Sequence, residues 1–468
     1  MKNEKENLTL QFLGGAGTVT GSKFLISHGN NQILLDCGLF QGLKDLRQRN
    51  WAPLPLDIKN LRSVVLTHAH IDHSGYLPKL VRLGFRGNVY ATAGTCDLLR
   101  VLLPDAAHLQ EEEAKYANHR GYSKHKPALP LYTVEDAGAA LKLLTPVRYD
   151  ESINLADGLS VQFFRTGHIL GSAALRLKCR IQGAERYLVD SGDLGRWERP
   201  ILRDPDIIEN ADWLLVESTY GDRVHPENPE AALAQIIRAV ADEKGCLIIP
   251  AFAVGRTQEI LYVIRKLEDK GEIPAIPVHM DSPMAIDATD IYCAHPEDHD
   301  LDMKLLMDTN LCPLCCKKFN VHRTQEESKA LNNLPGPLII ISASGMITGG
   351  RVLHHLKQRL PDPKTTVLLV GFQAEGTRGR LLQEDRSEIK MFGETITVRS
   401  KIKTIDGFSA HADQLELLRW LGNLKQPPRK TFVIHGEANA ASTFASILRD
   451  KYRWDTEIPT QGQITSLR

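Results

Sequence analysis

The chain opens with short apolar runs, LTLQFLG, SKFLISHG and NQILLDCG, separated by Gly, Asn and Ser. That texture predicts short strands joined as an antiparallel meander. Ser63-Val64-Val65-Leu66-Thr67 forms an unbroken apolar strand, after which Leu77, Leu80 and Leu83 recur at helical spacing. A longer helical pattern runs from about Thr95 to Asn118, and residues 119–132, with their Lys and Pro, read as a surface insertion. Strands resume at SVQFFRTGH, ALRLKCRI and RYLVDSGD. Beyond about Asp206 apolar strands (WLLVEST, CLIIPAF, PVHMDSP, PLIIISAS, TTVLLVGF) alternate with helical patterns at 229–243, 256–270, 283–294 and 350–360. Strand–helix alternation of this kind predicts a parallel sheet. From about Thr395 the first texture returns, with a helix at 412–424, the strand KTFVIHG and a helix at 437–452. The economical reading is one domain interrupted by another, without internal repeats or low-complexity linkers.

Composition narrows the class. The 468 residues carry 57 Lys+Arg against 57 Asp+Glu, so bulk positive charge does not drive nucleic-acid binding, although a locally basic groove is compatible with the balance. No run of ~18 apolar residues is present, so no membrane span or membrane partner is expected. The opening MKNEKENLTLQFLG lacks the apolar core of an export signal. Eight cysteines without a regular framework read as reduced thiols, and together these features predict a cytoplasmic protein. In Cys312-Pro313-Leu314-Cys315-Cys316 one C-x-x-C stands without a second pair, so reactive or buried thiols are favoured over a structural zinc completed by His322.

The chemistry concentrates in Thr67-His68-Ala69-His70-Ile71-Asp72-His73, three imidazoles and a carboxylate leaving an apolar strand. Side chains this costly to desolvate together point to bound metal, and the donor set suits Zn²⁺ best, with Mn²⁺ or Fe²⁺ as alternatives. Gly167-His168 and Gly192-Asp193 each place a potential ligand at a strand end, although on their own such residues are as readily turn formers. Asp36, ending the strand ILLD, is either a carboxylate that orients a ligand histidine or another turn residue.

HAHIDH, preceded by Asp36 and followed by His168 and Asp193, resembles the metallo-β-lactamase fold. Three later segments narrow the match: Glu217-Ser218-Thr219-Tyr220-Gly221, Phe408-Ser409-Ala410-His411-Ala412-Asp413 and Ile434-His435-Gly436-Glu437. These resemble motifs A, B and C of the β-CASP ribonucleases, a group that includes the endonuclease subunit of the cleavage and polyadenylation factor and RNase J. PAFAVGRTQE, MDSPMA, SASGM and GFQAEGT extend the likeness over nearly the whole chain. It implies an α/β architecture: a metallo-β-lactamase αββα sandwich, 1–207 and 396–468, carrying an inserted β-CASP domain, 208–395.

The resemblance also implies a site. One metal would be held by His68, His70 and His168, a second by Asp72, His73 and His435, with Asp193, rather than Asp190, bridging two Zn²⁺ ions (Mn²⁺ being the alternative). Asp36 would support the site. His411 would be the general acid, hydrogen-bonded to Glu217. Histidine at position 435 matches members acting on RNA, so single-stranded RNA is the expected substrate. The Gly-rich turns after the later strands, with Ser344, Arg256, Arg351, Arg378 and Arg380, are candidates for binding phosphate. An exonuclease of the RNase J kind would carry a further domain after the position of Arg468, so cutting is expected to be endonucleolytic, with 5′-to-3′ exonuclease activity as an addition. A small-molecule metallo-hydrolase and a non-catalytic RNA-binding scaffold are the alternatives. A homodimer is left open as an assembly.

Overall fold

The computed structural model describes residues 8–120, 125–181, 183–226, 228–308, 312–371 and 373–468. The chain divides into two compact units, one comprising Met1–Glu198, Asp204–Val224 and His411–Arg468, the other Arg199–Arg203 and His225–Ala410.

The first unit contains two seven-stranded sheets. One has the order Ile464–Leu467, Leu8–Gly14, Lys23–His28, Asn31–Leu35, Leu61–Val65, Asn88–Thr92, Leu144–Val147. Leu8–Gly14, Lys23–His28 and Asn31–Leu35 pair antiparallel, as the meander reading expects; Ile464–Leu467 adds antiparallel at the edge, and the remaining strands are parallel. The other runs Thr456–Glu457, Lys430–Ile434, Trp213–Glu217, Ala184–Asp190, Ala173–Ile181, Leu159–Arg165, Ser152–Ala156. Side chains alternate across each strand. Leu10, Phe12, Ile26 and Leu35 of the first sheet therefore meet Val161, Leu175, Leu215 and Phe432 of the second in one core. The opposite face of the second sheet, through Val189, Leu214, Val216 and Val433, is covered by Leu417, Leu421, Phe444 and Leu448 of the helices Gln414–Leu421 and Ala438–Tyr452. The result is an αββα sandwich.

The second unit is built on a six-stranded parallel sheet, Phe319–Val321, Val278–Met280, Leu338–Ser342, Cys246–Pro250, Thr365–Val370, Lys401–Ile405. Its central strands CLIIP, LIIIS and TTVLLV are buried along their whole length, as a sheet covered on both faces requires. The helices Pro229–Asp242, Arg256–Asp269, Pro283–Ala294 and Val352–Arg359 fall where the periodicity placed them.

The seams lie later than the expected 207/208 and 395/396. Trp213–Glu217 pairs with Ala184–Asp190 and Lys430–Ile434, which ties it to the sandwich. Lys401–Ile405 pairs with Thr365–Val370 and so belongs to the insert. Within the expected surface insertion, residues 121–124 lie outside the described set, whereas Leu131 and Tyr132 are buried. The expectation of reduced thiols fails at one place: Cys312 and Cys315 are joined as a disulfide, because a turn with Cys315 N–H donating to the Cys312 carbonyl sets their Cα atoms 5.3 Å apart. The other six cysteines are free thiols. Among the described residues no His/Cys/Asp/Glu group capable of holding a metal forms there, and His322 turns instead to His279, 3.0 Å away. No described helix is long and apolar enough to cross a membrane.

Candidate metal centre

Every candidate ligand sits just beyond the carboxyl end of a strand of the sandwich. The turn after Leu61–Val65 carries His68 and His70 and leads into the one-turn helix Ile71–Ser74, which holds Asp72 and His73. His168 follows Leu159–Arg165, Asp193 follows Ala184–Asp190, and His435 follows Lys430–Ile434. Glycines make the close approaches possible. A Cβ on Gly192, at φ +52°, would lie 2.9 Å from Thr67 Cβ, and one on Gly38 would overlap the Asp72 carbonyl at 1.6 Å.

Two groups of donor atoms result. His70 Nδ1 lies 3.1 Å from both His68 Nε2 and His168 Nε2, and Asp193 Oδ2 is 3.5 and 3.6 Å from the same two nitrogens. On the other side His73 Nε2 is 3.2 Å from His435 Nε2 and 3.3 Å from Asp193 Oδ1, while Asp72 Oδ2 is 3.5 Å from His435 Nε2. Ligand bonds of about 2.0–2.1 Å to a tetrahedral ion would set neighbouring donors about 3.3–3.4 Å apart. The observed spacings bracket that value in both groups. Asp193 Oδ1 is buried without a hydrogen bond among the described residues, a costly state that a cation on that side would relieve. The donor set therefore fits metal, and among the described residues Asp193 faces both groups.

Electrostatics agree for His68, His70 and Asp193. At His73 burial would lower the ring, but the carboxylates of Asp193 and Asp36 outweigh it and hold that ring well above its usual value. Burial, with the neighbouring imidazoles adding to it, pulls His68 well below its usual value, and burial brings His70 down to about 4, so both offer lone pairs at neutral pH. Burial disfavours the Asp193 carboxylate, but the imidazoles of His435, His73, His68 and His411 outweigh it and hold the group well below the ordinary range. Asp190 is the contrast. Burial, reinforced by the charge of Asp36, pushes it up to about 7, and its side chain joins neither group.

Asp36 ends its strand at φ +55° and is buried. Its Oδ1 accepts from Thr67 N–H at 2.7 Å, the Thr67 hydroxyl reaches both oxygens at 3.0 and 2.9 Å, and Oδ2 lies 2.6 Å from His73 Nδ1. The carboxylate thus fixes the proton of His73 on Nδ1 and leaves Nε2 as the donor facing the group. Thr219 does similar work for His435, its hydroxyl lying 3.2 Å from Nδ1. Sequence reasoning passed over Thr67 and Thr219, although each adjoins a motif residue.

A third cluster joins Asp193, Glu217 and His411. Glu217 is fully buried, with Oε1 accepting from Leu194 N–H at 2.6 Å. Its oxygens lie 3.2 and 3.4 Å from His411 Nδ1. Burial would lower His411, but the charges of Glu217 and Asp193 prevail and raise it, favouring imidazolium. The His411 side chain keeps 21% exposure, so Nε2 can face an incoming group.

The candidates in the inserted unit are more self-contained. Arg256 is buried and paired with Glu259 at 2.6 Å; Glu259 also contacts Arg199. Arg380 pairs with Glu384 at 2.9 Å, Arg351 with Asp281 at 2.7 Å, and Arg378 donates to the Lys390 carbonyl at 2.8 Å. Ser344 Oγ accepts from Thr348 N–H at 3.0 Å. Phe372, in GFQAEGT, lies outside the described residues.

Comparison with known proteins matches three family descriptions. These are a beta-lactamase superfamily domain over 31–250, a Beta-Casp domain over 257–382, and a Zn-dependent metallo-hydrolase RNA specificity domain over 395–459. Ribonuclease TTHA0252 of Thermus thermophilus is 38% identical over 439 residues, 93% of this chain and 94% of that protein. Transcription termination factor FttA of Methanocaldococcus jannaschii is 32% identical over 466 residues, 97% of this chain and 70% of its own length. A crystal structure of a protein of unknown function from Enterococcus faecalis shares the fold, with a TM-score of 0.55 at 13% identity over 98% of this chain and all of that one. With the sandwich, its insert and the clustered histidines in agreement, the chain belongs to the metallo-β-lactamase-fold β-CASP ribonuclease family.

Proposed function

We propose that the protein hydrolyses phosphodiester bonds of single-stranded RNA, cutting internally, with two Zn²⁺ ions as cofactor and Mn²⁺ as the alternative metal. The observation that carries this reading is the placement of a four-residue group, His68, His70, His168 and Asp193, next to a three-residue group, Asp72, His73 and His435, that Asp193 Oδ1 also approaches, with the Glu217–His411 pair beside them. Divalent cations held there supply Lewis acidity, lowering the pKa of water towards neutrality and offsetting charge on a phosphoryl oxygen. That matters for a phosphodiester, whose anionic oxygens repel hydroxide.

The chain's own residues do the rest. His68, His70 and His168 would hold one ion and Asp72, His73 and His435 the other, with Asp193 contributing a carboxylate to both groups. Asp36 keeps His73 in the ligating tautomer. His411, held as imidazolium by Glu217, delivers the proton that the leaving 3′-oxygen takes up. His435 supports RNA over DNA because family members acting on RNA carry histidine at that motif, and the name of one relative, ribonuclease, points the same way.

Single-stranded RNA labelled at its 5′ or 3′ end, and the equivalent DNA, test this directly. Internal fragments from RNA, abolished by chelation and restored by Zn²⁺, are expected. Mononucleotides alone would replace the endonuclease with an exonuclease, and cutting of DNA but not RNA would overturn the substrate assignment.

A further inference from the structure

The turn from Gly15 to Ser22, GAGTVTGS, joins the first two strands of the sandwich and abuts the second donor group. Gly15 carbonyl accepts from His435 N–H at 2.7 Å, and Ser22 N–H donates to the Asp72 carbonyl at 2.9 Å. The turn therefore touches the residues on either side of that group. Gly15, Gly17 and Gly21 all have positive φ, a conformation that favours glycine over residues with a Cβ.

Three observations set this turn apart from a tight connection. Among the described residues, the backbone N–H groups of Ala16, Gly17, Thr18, Val19 and Thr20 donate no hydrogen bond, although Ala16 and Thr18 are largely buried. Ser22 is fully buried, yet its Oγ has no partner. That hydroxyl is aimed into the turn, 3.1 Å from where a Cβ on Gly15 would stand. Beneath the turn lies Lys23, also buried, whose Nζ donates to the carbonyls of Gly21 at 3.0 Å and Gly38 at 2.5 Å. A fold that needed only a connection would pair that hydroxyl or replace it, since an unpaired buried polar group costs about 1–3 kcal/mol. Unused N–H donors, an unused hydroxyl and a buried ammonium share one preference, a multivalent anion.

We propose that the Gly15–Ser22 turn is a subsite for a phosphate of the RNA backbone, the one adjacent to the scissile phosphate on the Asp72–His435 side. The inference rests on the ribonuclease reading. The scissile phosphate belongs between the two donor groups, so a neighbouring phosphate on that side meets the turn. Its oxygens accept from the free N–H groups, and a slight opening of the glycine-rich turn brings one of them to Ser22 Oγ. The subsite fixes the strand relative to His411 without reading the base.

The test uses the full-length protein with His411→Ala, so that bound RNA is cut slowly enough for binding to be read, and short single-stranded RNAs in which one phosphate at a time is a neutral methylphosphonate. Neutralising a single flanking position should weaken binding about tenfold, the worth of losing charge-assisted hydrogen bonds there. Ser22→Ala, which removes only the unpaired hydroxyl, should leave the melting temperature unchanged or raised and lower RNA affinity several-fold. With the methylphosphonate at the sensitive position, Ser22→Ala should have no further effect. Equal losses at all positions, or a Ser22→Ala protein that is less stable but binds RNA normally, would overturn the subsite while leaving the nuclease reading in place. RNA that is neither bound by this protein nor cut by the wild type would overturn both.

Discussion

Asp36→Asn isolates the support beneath one donor group. The carboxylate answers three donors at once: Thr67 N–H at 2.7 Å, the Thr67 hydroxyl at 2.9–3.0 Å and the His73 ring at 2.6 Å. An amide keeps only one acceptor oxygen. If that oxygen stays with Thr67, the NH₂ faces His73 Nδ1 and drives the ring proton to Nε2, the atom that must bind metal. If it turns to His73, Thr67 N–H is left buried and unpaired. Either arrangement forfeits a charge-assisted hydrogen bond worth about 1.5–3 kcal/mol, roughly one to two decades of affinity. We therefore expect the ion held by Asp72, His73 and His435 to bind ~10–100-fold more weakly, the usual scale for losing a carboxylate behind a metal-bound histidine. The ion held by His68, His70 and His168 should be weakened less, because Asp36 reaches that group only through the Thr67 hydroxyl, 3.0 Å from His68 Nδ1. Titration with a competing chelator, with metal counted at each step, should resolve one strongly weakened and one less affected site. Two ions weakened equally, or neither weakened, would refute the assignment of Asp36 to His73.

Three further substitutions probe the remaining roles. His411→Ala should slow cleavage ~10²–10⁴-fold while elemental analysis still finds the full metal content; loss of an ion would make His411 a ligand instead. Glu217→Gln removes the charge that helps raise His411. The imidazolium is the active form below its pKa and is lost above it, so the alkaline limb of kcat/KM should move to lower pH; a limb that stays in place would separate Glu217 from the acid. Asp193→Ala should deplete both ions, and a preparation retaining two at full occupancy would remove Asp193 from its shared position.

Much of the architecture was legible because burial writes a simple pattern. CLIIP, LIIIS and TTVLLV are apolar throughout, and a strand buried on both faces must be. The HAHIDH cluster stood out because donors this polar seldom crowd a strand end without a partner, whereas His168 and Asp193 were as readily turn residues until the family resemblance, and His435 joined the candidate set only through it. The seams were harder to place. Trp213–Glu217 is as uniformly buried as the insert's strands, so its texture does not say which sheet it joins; only its pairing with Ala184–Asp190 and with Lys430–Ile434, the latter over two hundred residues away, decides. Asn88–Thr92 and Leu144–Val147 escaped notice for local reasons. The first begins on an exposed Asn, and the second contains Pro146, which an edge strand accepts but an isolated reading takes as a breaker. Thr219 and Ser22 carry no signal of their own, since a hydroxyl gains meaning only from what folding brings beside it.

The two donor groups differ in how the chain builds them. His68, His70, His168 and Asp193 all precede the insert, whereas the other group needs His435 from beyond it. That second group also rests on the two site residues held at positive φ without being glycine, Asp36 at +55° and His435 at +44°. Such a conformation costs a residue with a Cβ on the order of 1–2 kcal/mol, and surrounding contacts must impose it. Here they do: Thr67 and His73 grip Asp36, while the Gly15 carbonyl and Thr219 grip His435. The first group is thus assembled by ordinary strand ends and the second under strain relieved by its neighbours. Perturbing those neighbours should therefore be felt first in the ion held by Asp72, His73 and His435, the side of the site on which the Gly15–Ser22 turn also bears.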